Sequence, residues 1–281
     1  MAKIALVTDS TADLTSELIE EFDVHVVPLG VNFGDEYFAA HQLTPTEFYR
    51  RLASAEALPT TSQPAPEDFM NIYNKLLEKY DEVISIHLST ALSGTLNAAR
   101  VAKDALDQAR IHLVDSRSIS LGVAVMVQEA ARGIREGLAS AAIVEAVGKV
   151  RQRTETLFTL NTLEYLQKGG RIGKVSGLVG SLLNIKPIIR VNDEGIYVPA
   201  GKARSQDRAL DCLAKNFKQL ANGRAAVQIA VAHGAAREAA QRLQTAMEEA
   251  FSVKASIFTE VGPVIGVHTG PGTVGVAVVF E

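Results

Sequence analysis

Short apolar runs alternate with helical patterns through the first half of the chain, and this alternation limits the possible folds more than any other feature. Apolar runs typical of buried strands occupy residues 3–7, 24–29, 83–88 and 111–114. Helical patterns occupy residues 15–22, 45–55, 66–80, 96–109, 121–136 and 139–151. Strands that alternate with helices predict an α/β domain with a mainly parallel sheet covered on both faces.

The pattern changes after Arg153. Further strands are predicted at 156–161, 226–232 and 255–258, a hairpin at 185–191 with 195–200, and helical segments at 163–167, 205–220 and 237–251. The tail, 264–280, is predicted as two apolar strands around a turn, and 31–38 as irregular. Hairpins mixed with helices indicate a second α/β domain with a mixed sheet. We therefore predict two domains, residues 1–156 and 157–281.

Composition excludes several classes of protein. The net charge of -4 argues against nucleic acid as a partner, because neutralising phosphates requires a basic face. A single cysteine, Cys212, excludes an internal disulfide and a metal site built from cysteines. No apolar run is long enough to span a bilayer, and the first residues turn polar too soon for a signal peptide. These features predict a cytoplasmic protein without a membrane segment.

A hydroxyl-rich turn, residues 89–95, separates the apolar run at 83–88 from the helical pattern that follows. Ser93 is predicted as the N-cap of that helix, and Gly94 allows a ligand to approach the backbone closely. The first amides of a helix have no partner within it, and the helix dipole favours an anion there. The turn is therefore a candidate site for a carboxylate or phosphate, although helix capping alone would explain the same residues.

A proline-rich segment, residues 59–66, is the second candidate. Its three prolines hold the backbone extended, so that Thr61, Ser62 and Gln63 can present hydrogen-bond donors. A rigid linker would have the same composition.

Two glycine-rich motifs do not predict a nucleotide site. The motif at 270–275 has the letters of a dinucleotide fingerprint, but the pattern after it is that of a strand, whereas the fingerprint requires a helix. The loop at 169–174 has no Ser or Thr after Lys174 in the place that a phosphate-binding loop requires. No pair of histidines has metal-ligand spacing on one helix, so no metal or cofactor is predicted.

His268, next to a glycine turn, is the histidine most suited to a site, whereas His87 lies within a predicted strand and suits a structural role. Ser93 and His268 could serve a hydrolase or transferase. That alternative lacks the Gly-x-Ser-x-Gly motif and an evident acidic third member.

Several motifs taken together resemble those of the DegV-like family of fatty-acid-binding proteins, over the full length of the chain. These motifs are Val7-Thr8-Asp9-Ser10-Thr11-Ala12-Asp13, Thr61-Ser62-Gln63-Pro64, Leu92-Ser93-Gly94-Thr95, Leu166-Gln167-Lys168-Gly169-Gly170-Arg171-Ile172 and Gly266-Val267-His268-Thr269-Gly270-Pro271-Gly272. The resemblance implies two α/β domains that enclose one acyl chain between them. It also implies that Thr61 and Ser93 hold the carboxylate, beside Ser62 and Gly94, with His268 supporting the site.

The same resemblance implies a protein that catalyses nothing alone and presents its bound acid to a separate ATP-dependent fatty-acid kinase subunit. Arg171, and Arg204 after the hairpin, would then contact that partner or neutralise phosphate. A lipid sensor without a kinase partner is the other alternative. The acyl chain needs an apolar tunnel, which residues 121–127 or 175–183 could line.

Overall fold

The computed structural model describes residues 2–106, 110–178 and 185–281. The strands are β1 (Ile4–Asp9), β2 (Val24–Val27), β3 (Gly30–Phe33), β4 (Glu36–Ala39), β5 (Thr60–Ser62), β6 (Glu82–His87), β7 (Ile111–Asp115), β8 (Thr154–Thr159), β9 (Lys186–Val191), β10 (Tyr197–Ala203), β11 (Ala226–His233), β12 (Ala255–Glu260) and β13 (Val274–Phe280). The helices are α1 (Ser16–Glu21), α2 (Pro45–Ser54), α3 (Pro66–Leu77), α4 (Thr95–Ala105), α5 (Leu121–Arg135), α6 (Ser140–Arg153), α7 (Glu164–Lys168), α8 (Gln206–Ala221), α9 (Arg237–Phe251) and α10 (Pro263–Thr269).

The two main sheets confirm the predicted fold class. Within the described residues the first sheet has the order β2-β1-β6-β7 and is parallel throughout. The second has the order β10-β9-β8-β13-β11-β12 and is mixed, since only β11 and β12 pair in parallel. Parallel pairing follows from the helical crossovers of the first half, and antiparallel pairing from the hairpins of the second.

Helix α5 packs between the two sheets, against β1 and β6 on one side and against β8, β11 and β13 on the other. Residues 121–127 are all buried, which is typical of a helix covered on every side. Helices α3 and α4 cover the outer face of the first sheet, and α8 and α9 cover the outer face of the second. The interior between the sheets is therefore an apolar layer centred on α5.

The prediction that residues 31–38 are irregular is wrong. They form the β3–β4 hairpin, which turns at Gly34 with a φ of 58°. β5 pairs with the other edge of β3, with Val31 opposite Thr61, so the first part of the proline-rich segment is a strand of a small antiparallel sheet. Strands of three or four residues are too short to show a clear alternation in the sequence.

The prediction of a strand at residues 264–269 is also wrong, because these residues form helix α10. Pro263 occupies its first turn, where proline is well tolerated, and nearly every residue is buried. A short helix that is apolar on all sides has no periodicity to distinguish it from a buried strand. Gly270 and Gly272, both with positive φ, then form a helix-to-strand turn rather than the predicted hairpin. β13 follows these glycines, which agrees with the rejection of a dinucleotide fingerprint.

Several predicted boundaries shift by one to three residues. β8 begins at Thr154 instead of residue 156, and it spans the predicted domain boundary at 156–157, which stays a prediction. Helix α4 ends at Ala105, and residues 107–109 of its predicted end lie outside the described residues. Of the predicted tunnel segment 175–183, the described part continues a 3-10 helix, Gly173–Leu178, with Val175 buried; residues 179–183 lie outside the described residues.

Candidate functional site

Thr61 and His268, far apart in the sequence, are hydrogen-bonded to each other. Thr61 Oγ1 lies 2.9 Å from His268 Nε2. Thr61 is on β5 and His268 is in the last turn of α10, a helix that packs on both β3 and β5. The contact therefore depends on α10 being a helix that crosses the small sheet.

His268 is neutral near pH 7. Burial, and then the positive charge of Arg171, lower the pKa of its imidazole to about 4. Its Nδ1 atom is buried and has no hydrogen-bond partner among the described residues. Gly169 packs directly against it, since a Cβ at this position would lie 2.3 Å from His268 Nδ1.

The tautomer of His268 decides what Thr61 can do. A neutral imidazole carries one N–H. If that proton is on Nε2, the ring donates to Thr61 Oγ1, and the threonine hydroxyl proton is free to bind a ligand. The other tautomer would use the threonine proton and bury an unpaired Nδ1–H. Nδ1 has no partner among the described residues in either tautomer. Only the Nε2–H form leaves the hydroxyl proton of Thr61 for a ligand, so Thr61 is a donor to a ligand in that form.

Ser93 lies at the start of α4. The sequence predicted it as the N-cap of this helix, and that prediction is wrong. Gly94 is the N-cap residue and has no side chain to bond with. Ser93 Oγ instead accepts from the Thr95 amide at 3.3 Å and bonds Thr95 Oγ1 at 2.9 Å. The side chain of Ser93 is half-buried, so it keeps both a place at the helix N-terminus and access to a ligand.

Gln63 joins the β5 segment to the Ser93 turn. A Cβ on Gly94 would lie 2.1 Å from Gln63 Oε1, so the absence of a side chain at Gly94 leaves room for this amide in its observed position. The contact places the residues after Thr61 directly on the turn that carries Ser93. No hydrogen bond joins Ser93 to Thr61 or to His268 within residues 2–106, 110–178 and 185–281.

Ser62 lies on the other face of β5 from Thr61, because successive side chains of a strand alternate. It is exposed and packs against the backbone of Gly30, where a Cβ would lie 2.4 Å from Ser62 Oγ. The structure therefore does not bring the Ser62 hydroxyl together with Thr61 and His268.

The two arginines assigned to a partner are both exposed. Arg171 lies in the glycine-rich loop after α7, and its Nη1 donates to the Gly169 carbonyl at 2.8 Å. This contact keeps the guanidinium near His268, whose pKa it lowers. Arg204 follows β10, and no ion pair or hydrogen bond of its side chain is found among the described residues.

A buried polar network, missed in the sequence, has the order of a catalytic triad. Asp9 Oδ2 lies 2.9 Å from His87 Nδ1, and Ser85 Oγ lies 2.7 Å from His87 Nε2. Ser85 Oγ also bonds the Tyr73 hydroxyl at 2.9 Å. All four side chains are 0% exposed, so no substrate can reach Ser85. The signal was a serine and a histidine two residues apart in the otherwise apolar run 83–88, a spacing that places both on one face of a strand.

Asp13, also missed, connects the first turns of α5 and α10. Its carboxyl group accepts from the Gly262 amide at 2.9 Å and from the Ser120 hydroxyl. Burial raises the pKa of Asp13 to about 7, and the nearby Asp9 contributes, although both hydrogen bonds act in the opposite direction. Ser120 has a positive φ of 48°. Asp13 thereby fixes the position of the helix that carries His268.

A narrow apolar cavity of about 30 Å³ lies between α10, α5 and the second sheet. Ile265 and Thr269 line it from α10, Leu121 from α5, and Phe158 from β8. Thr269 follows His268 along α10, and neither His268 nor Thr61 is among the lining residues. Helix α10 therefore contributes residues both to this apolar space and, through His268, to the hydrogen bond with β5.

The described part of the chain has neither a cluster of metal-binding side chains nor a helix suited to a membrane. No group of three His, Cys, Asp or Glu side chains there could hold a metal ion. Likewise, none of the helices in this part combines the length and the apolar character needed to cross a membrane.

Comparison with known proteins identifies relatives over the full length. A family model described as the DegV family of uncharacterised proteins matches residues 3–281. A DegV domain-containing protein of Clostridium acetobutylicum is 37% identical over 280 residues, which are 99% of each chain.

Solved structures of similar proteins agree in fold. A fatty-acid-binding DegV family protein from Thermus thermophilus is 36% identical with a TM-score of 0.92, over 99% of this chain and 100% of that one. DegV of Bacillus subtilis, a fatty acid binding protein, is 30% identical with a TM-score of 0.89 over 100% of both chains. A stearic acid-binding protein from Eubacterium ventriosum is 27% identical with a TM-score of 0.88, over 100% of this chain and 98% of that one. The chain belongs to the DegV family.

Proposed function

We propose that this protein binds a long-chain fatty acid, with the carboxylate at Thr61 and Ser93 and the acyl chain in the space between α5, α10 and the second sheet. The observation that supports this most is the hydrogen bond between Thr61 and His268, because the helix that carries His268 also lines an apolar cavity. The fatty acids bound by the similar proteins from Thermus thermophilus and Bacillus subtilis fit the same chemistry.

The carboxylate needs several donors, because burying a charge without hydrogen bonds is costly. Thr61 can donate its hydroxyl proton while His268 donates to the threonine oxygen. Ser93 adds a second hydroxyl at the N-terminus of α4, where the dipole of an 11-residue helix favours an anion. His268 stays neutral and thus contributes orientation rather than charge.

The acyl chain supplies most of the affinity in this proposal. Burying about 14 methylenes at ~0.8 kcal/mol each yields roughly 11 kcal/mol before ordering costs. The cavity of about 30 Å³ is smaller than such a chain. Binding therefore requires the side chains that line it, such as Leu121 and Ile265, to move apart.

We further propose that the protein presents its bound acid to a separate ATP-dependent kinase, which forms an acyl phosphate. The exposed guanidinium of Arg171 lies beside the Thr61–His268 pair, and arginine suits phosphate through its planar fork of donors. Arg204 is the second arginine proposed for this contact. A hydrolase or transferase using Ser93 is less well supported, because Ser93 contacts Thr95 and not a histidine.

Binding can be tested with Thr61→Val and Ser93→Ala, titrated with hexadecanoic acid by calorimetry. Each variant should lose about 10- to 100-fold in affinity, since a hydrogen bond to a charged group contributes about 1.5–3 kcal/mol. Ser62→Ala is the matched control, because its hydroxyl lies on the opposite face of β5. Unchanged affinity in both site variants would contradict the carboxylate assignment.

Presentation to a kinase needs a second assay. Mass spectrometry of protein purified from cells identifies the bound acid, and a cognate kinase is then added with ATP. Arg171→Ala should bind hexadecanoic acid normally and lose most acyl-phosphate formation. Lys174→Ala, an exposed lysine three residues further along the chain, should retain it. Equal turnover of Arg171→Ala and wild type would remove the loop from the proposal and favour a lipid sensor.

A further inference from the structure

A polar cleft of about 320 Å³ opens on the side of the second sheet where the β7–α5 loop meets β8 and the β9–β10 hairpin. Arg117 and Ser118 line it from the loop, Arg151 from the end of α6, and Thr156 from β8. Gly195 of the hairpin packs closely on the loop, since its Cβ would lie 3.0 Å from the Cα of Arg117. The cleft is thus built by both halves of the chain.

The two arginines of the cleft have donors to spare. Arg151 Nη1 donates to the Asp115 carbonyl at 3.0 Å, and Arg117 Nη1 lies 3.5 Å from the Asp193 carbonyl. Among the described residues neither guanidinium forms an ion pair with a carboxylate. The Asp193 carboxylate is at the rim, 99% exposed, and lies 3.6 Å from Arg190. Each arginine has five N–H donors, so the cleft can bind an anion.

The cleft adjoins the apolar cavity through a pair of hydroxyls. Thr156 lines both spaces, and its Oγ1 lies 3.3 Å from Ser118 Oγ. Both side chains are buried, and this distance is long for an O–H···O bond. Each hydroxyl therefore retains capacity for a further partner. Gly122 leaves room for the pair, since a Cβ there would lie 1.9 Å from Ser118 Oγ.

We propose that the cleft is a second carboxylate site, which binds the ω-carboxylate of a long-chain dicarboxylic acid. This inference rests on the proposed function, which places the first carboxylate at Thr61 and Ser93. A cavity closed by apolar side chains would exclude an acid with a charged ω group, because burying a carboxylate without hydrogen-bond partners is costly. Here Thr156 lines both the apolar cavity and the cleft, and Ser118, Arg117 and Arg151 line the cleft on its other side. A bidentate arginine–carboxylate contact is well suited to this position.

The test compares hexadecanoic acid with hexadecanedioic acid in calorimetric titrations. Wild type should bind the two acids with dissociation constants within about tenfold of each other. The double variant Arg117→Gln/Arg151→Gln should bind the diacid at least about tenfold more weakly and bind hexadecanoic acid as wild type does, which also verifies its fold. Arg135→Gln, an exposed arginine of α5 outside the cleft, is the control.

Three outcomes would overturn the inference. The first is wild type binding the diacid about a hundredfold more weakly than the monoacid. The second is a double variant that affects both acids equally. The third combines two results: acetate protects Arg151 from arginine-directed labelling in the hexadecanoic acid complex, and wild type does not bind the diacid. The cleft would then bind free carboxylates and not the ω end of the ligand. If neither acid binds to wild type, the proposed function fails together with this inference. If only the monoacid binds, this inference fails and the proposed function stands.

Discussion

Two histidines of this protein each bond a hydroxyl side chain, yet their surroundings differ. His87 has both ring nitrogens bonded, to Asp9 and to Ser85, and its ring is 0% exposed with Phe69 edge-on at 5.1 Å. His268 has one bond, to Thr61, and its Nδ1 has no partner in the described part of the chain. The first network resembles a catalytic triad, and the second does not.

The comparison shows that spare hydrogen-bonding capacity, rather than a familiar order of residues, marks the candidate site. A buried network with every group satisfied stabilises one arrangement and has nothing left for a ligand. A threonine that receives a proton from a neutral histidine can still donate its own. The same residue types therefore hold the fold in one place and are available to a ligand in the other.

The largest expected effect is on stability and belongs to the His87 network. Asp9→Ala removes the acceptor of the Thr11 and Leu88 amides, the Thr11 hydroxyl and His87, all of them buried. The free energy of unfolding should fall by about 3–5 kcal/mol, as measured in urea. His268→Ala should lower it by about 1 kcal/mol or less, because it breaks one hydrogen bond.

An exposed ion pair provides the control for these measurements of the free energy of unfolding. Glu145→Ala removes the exposed ion pair with Lys149 and should change the free energy of unfolding by no more than about 0.5 kcal/mol. If His268→Ala destabilised the protein as much as Asp9→Ala, the distinction between a structural and a ligand-binding histidine would not hold.

The pH dependence of stability separates His268 from its surroundings. The pKa of His268 is about 4 in the folded protein, whereas its ordinary value is 6.5. As the pH falls from 6.5 to 4, the imidazole therefore binds a proton in the unfolded chain but not in the folded protein. His268 therefore makes stability fall with falling pH in this window, by up to about 3 kcal/mol. Asp13 acts oppositely, because its pKa is raised from 3.8 to about 7 and its protonated form is favoured on folding.

The two contributions are resolved by subtraction. Urea unfolding of wild type and His268→Gln at several pH values between 4 and 7 leaves the Asp13 contribution common to both. The wild type should lose stability relative to the variant as the pH falls from 6.5 to 4. Parallel curves would show that burial of His268 does not disfavour its protonation.

The smallest expected loss of fatty-acid affinity concerns Gly94, whose φ of −78° suits any residue. Gly94→Ala should therefore act through Gln63, whose amide must move away from the added Cβ. Because a flexible side chain can shift, we expect a stability change below about 1 kcal/mol and a loss of fatty-acid affinity of about three- to tenfold. The double variant Gln63→Ala/Gly94→Ala tests the cause by calorimetry. If the double variant binds the fatty acid as tightly as Gln63→Ala alone, the clash with Gln63 causes the loss of affinity. If the double variant binds more weakly than Gln63→Ala, the turn itself is the cause.

Much of the fold could be predicted because its elements are regular. The apolar run of β6 and the helical spacing of apolar residues in α3 can both be recognised in the sequence alone. The predictions failed for α10 and for the β3–β4 hairpin, which are short and obtain their conformation from their neighbours. The triad-like network was missed for a related reason, since Asp9 and His87 meet only when β1 pairs with β6.

The sequence by itself determined the α/β class, the parallel and mixed sheets, and the residue types available to a ligand, because these depend on periodicity and on side-chain chemistry. Only the tertiary structure decided which histidine has hydrogen-bonding capacity left. His268 reaches Thr61 because α10 lies across β3 and β5, and Asp13 fixes the start of that helix through Gly262. Contacts between residues two hundred positions apart depend on how elements pack, and packing leaves no local pattern in a sequence.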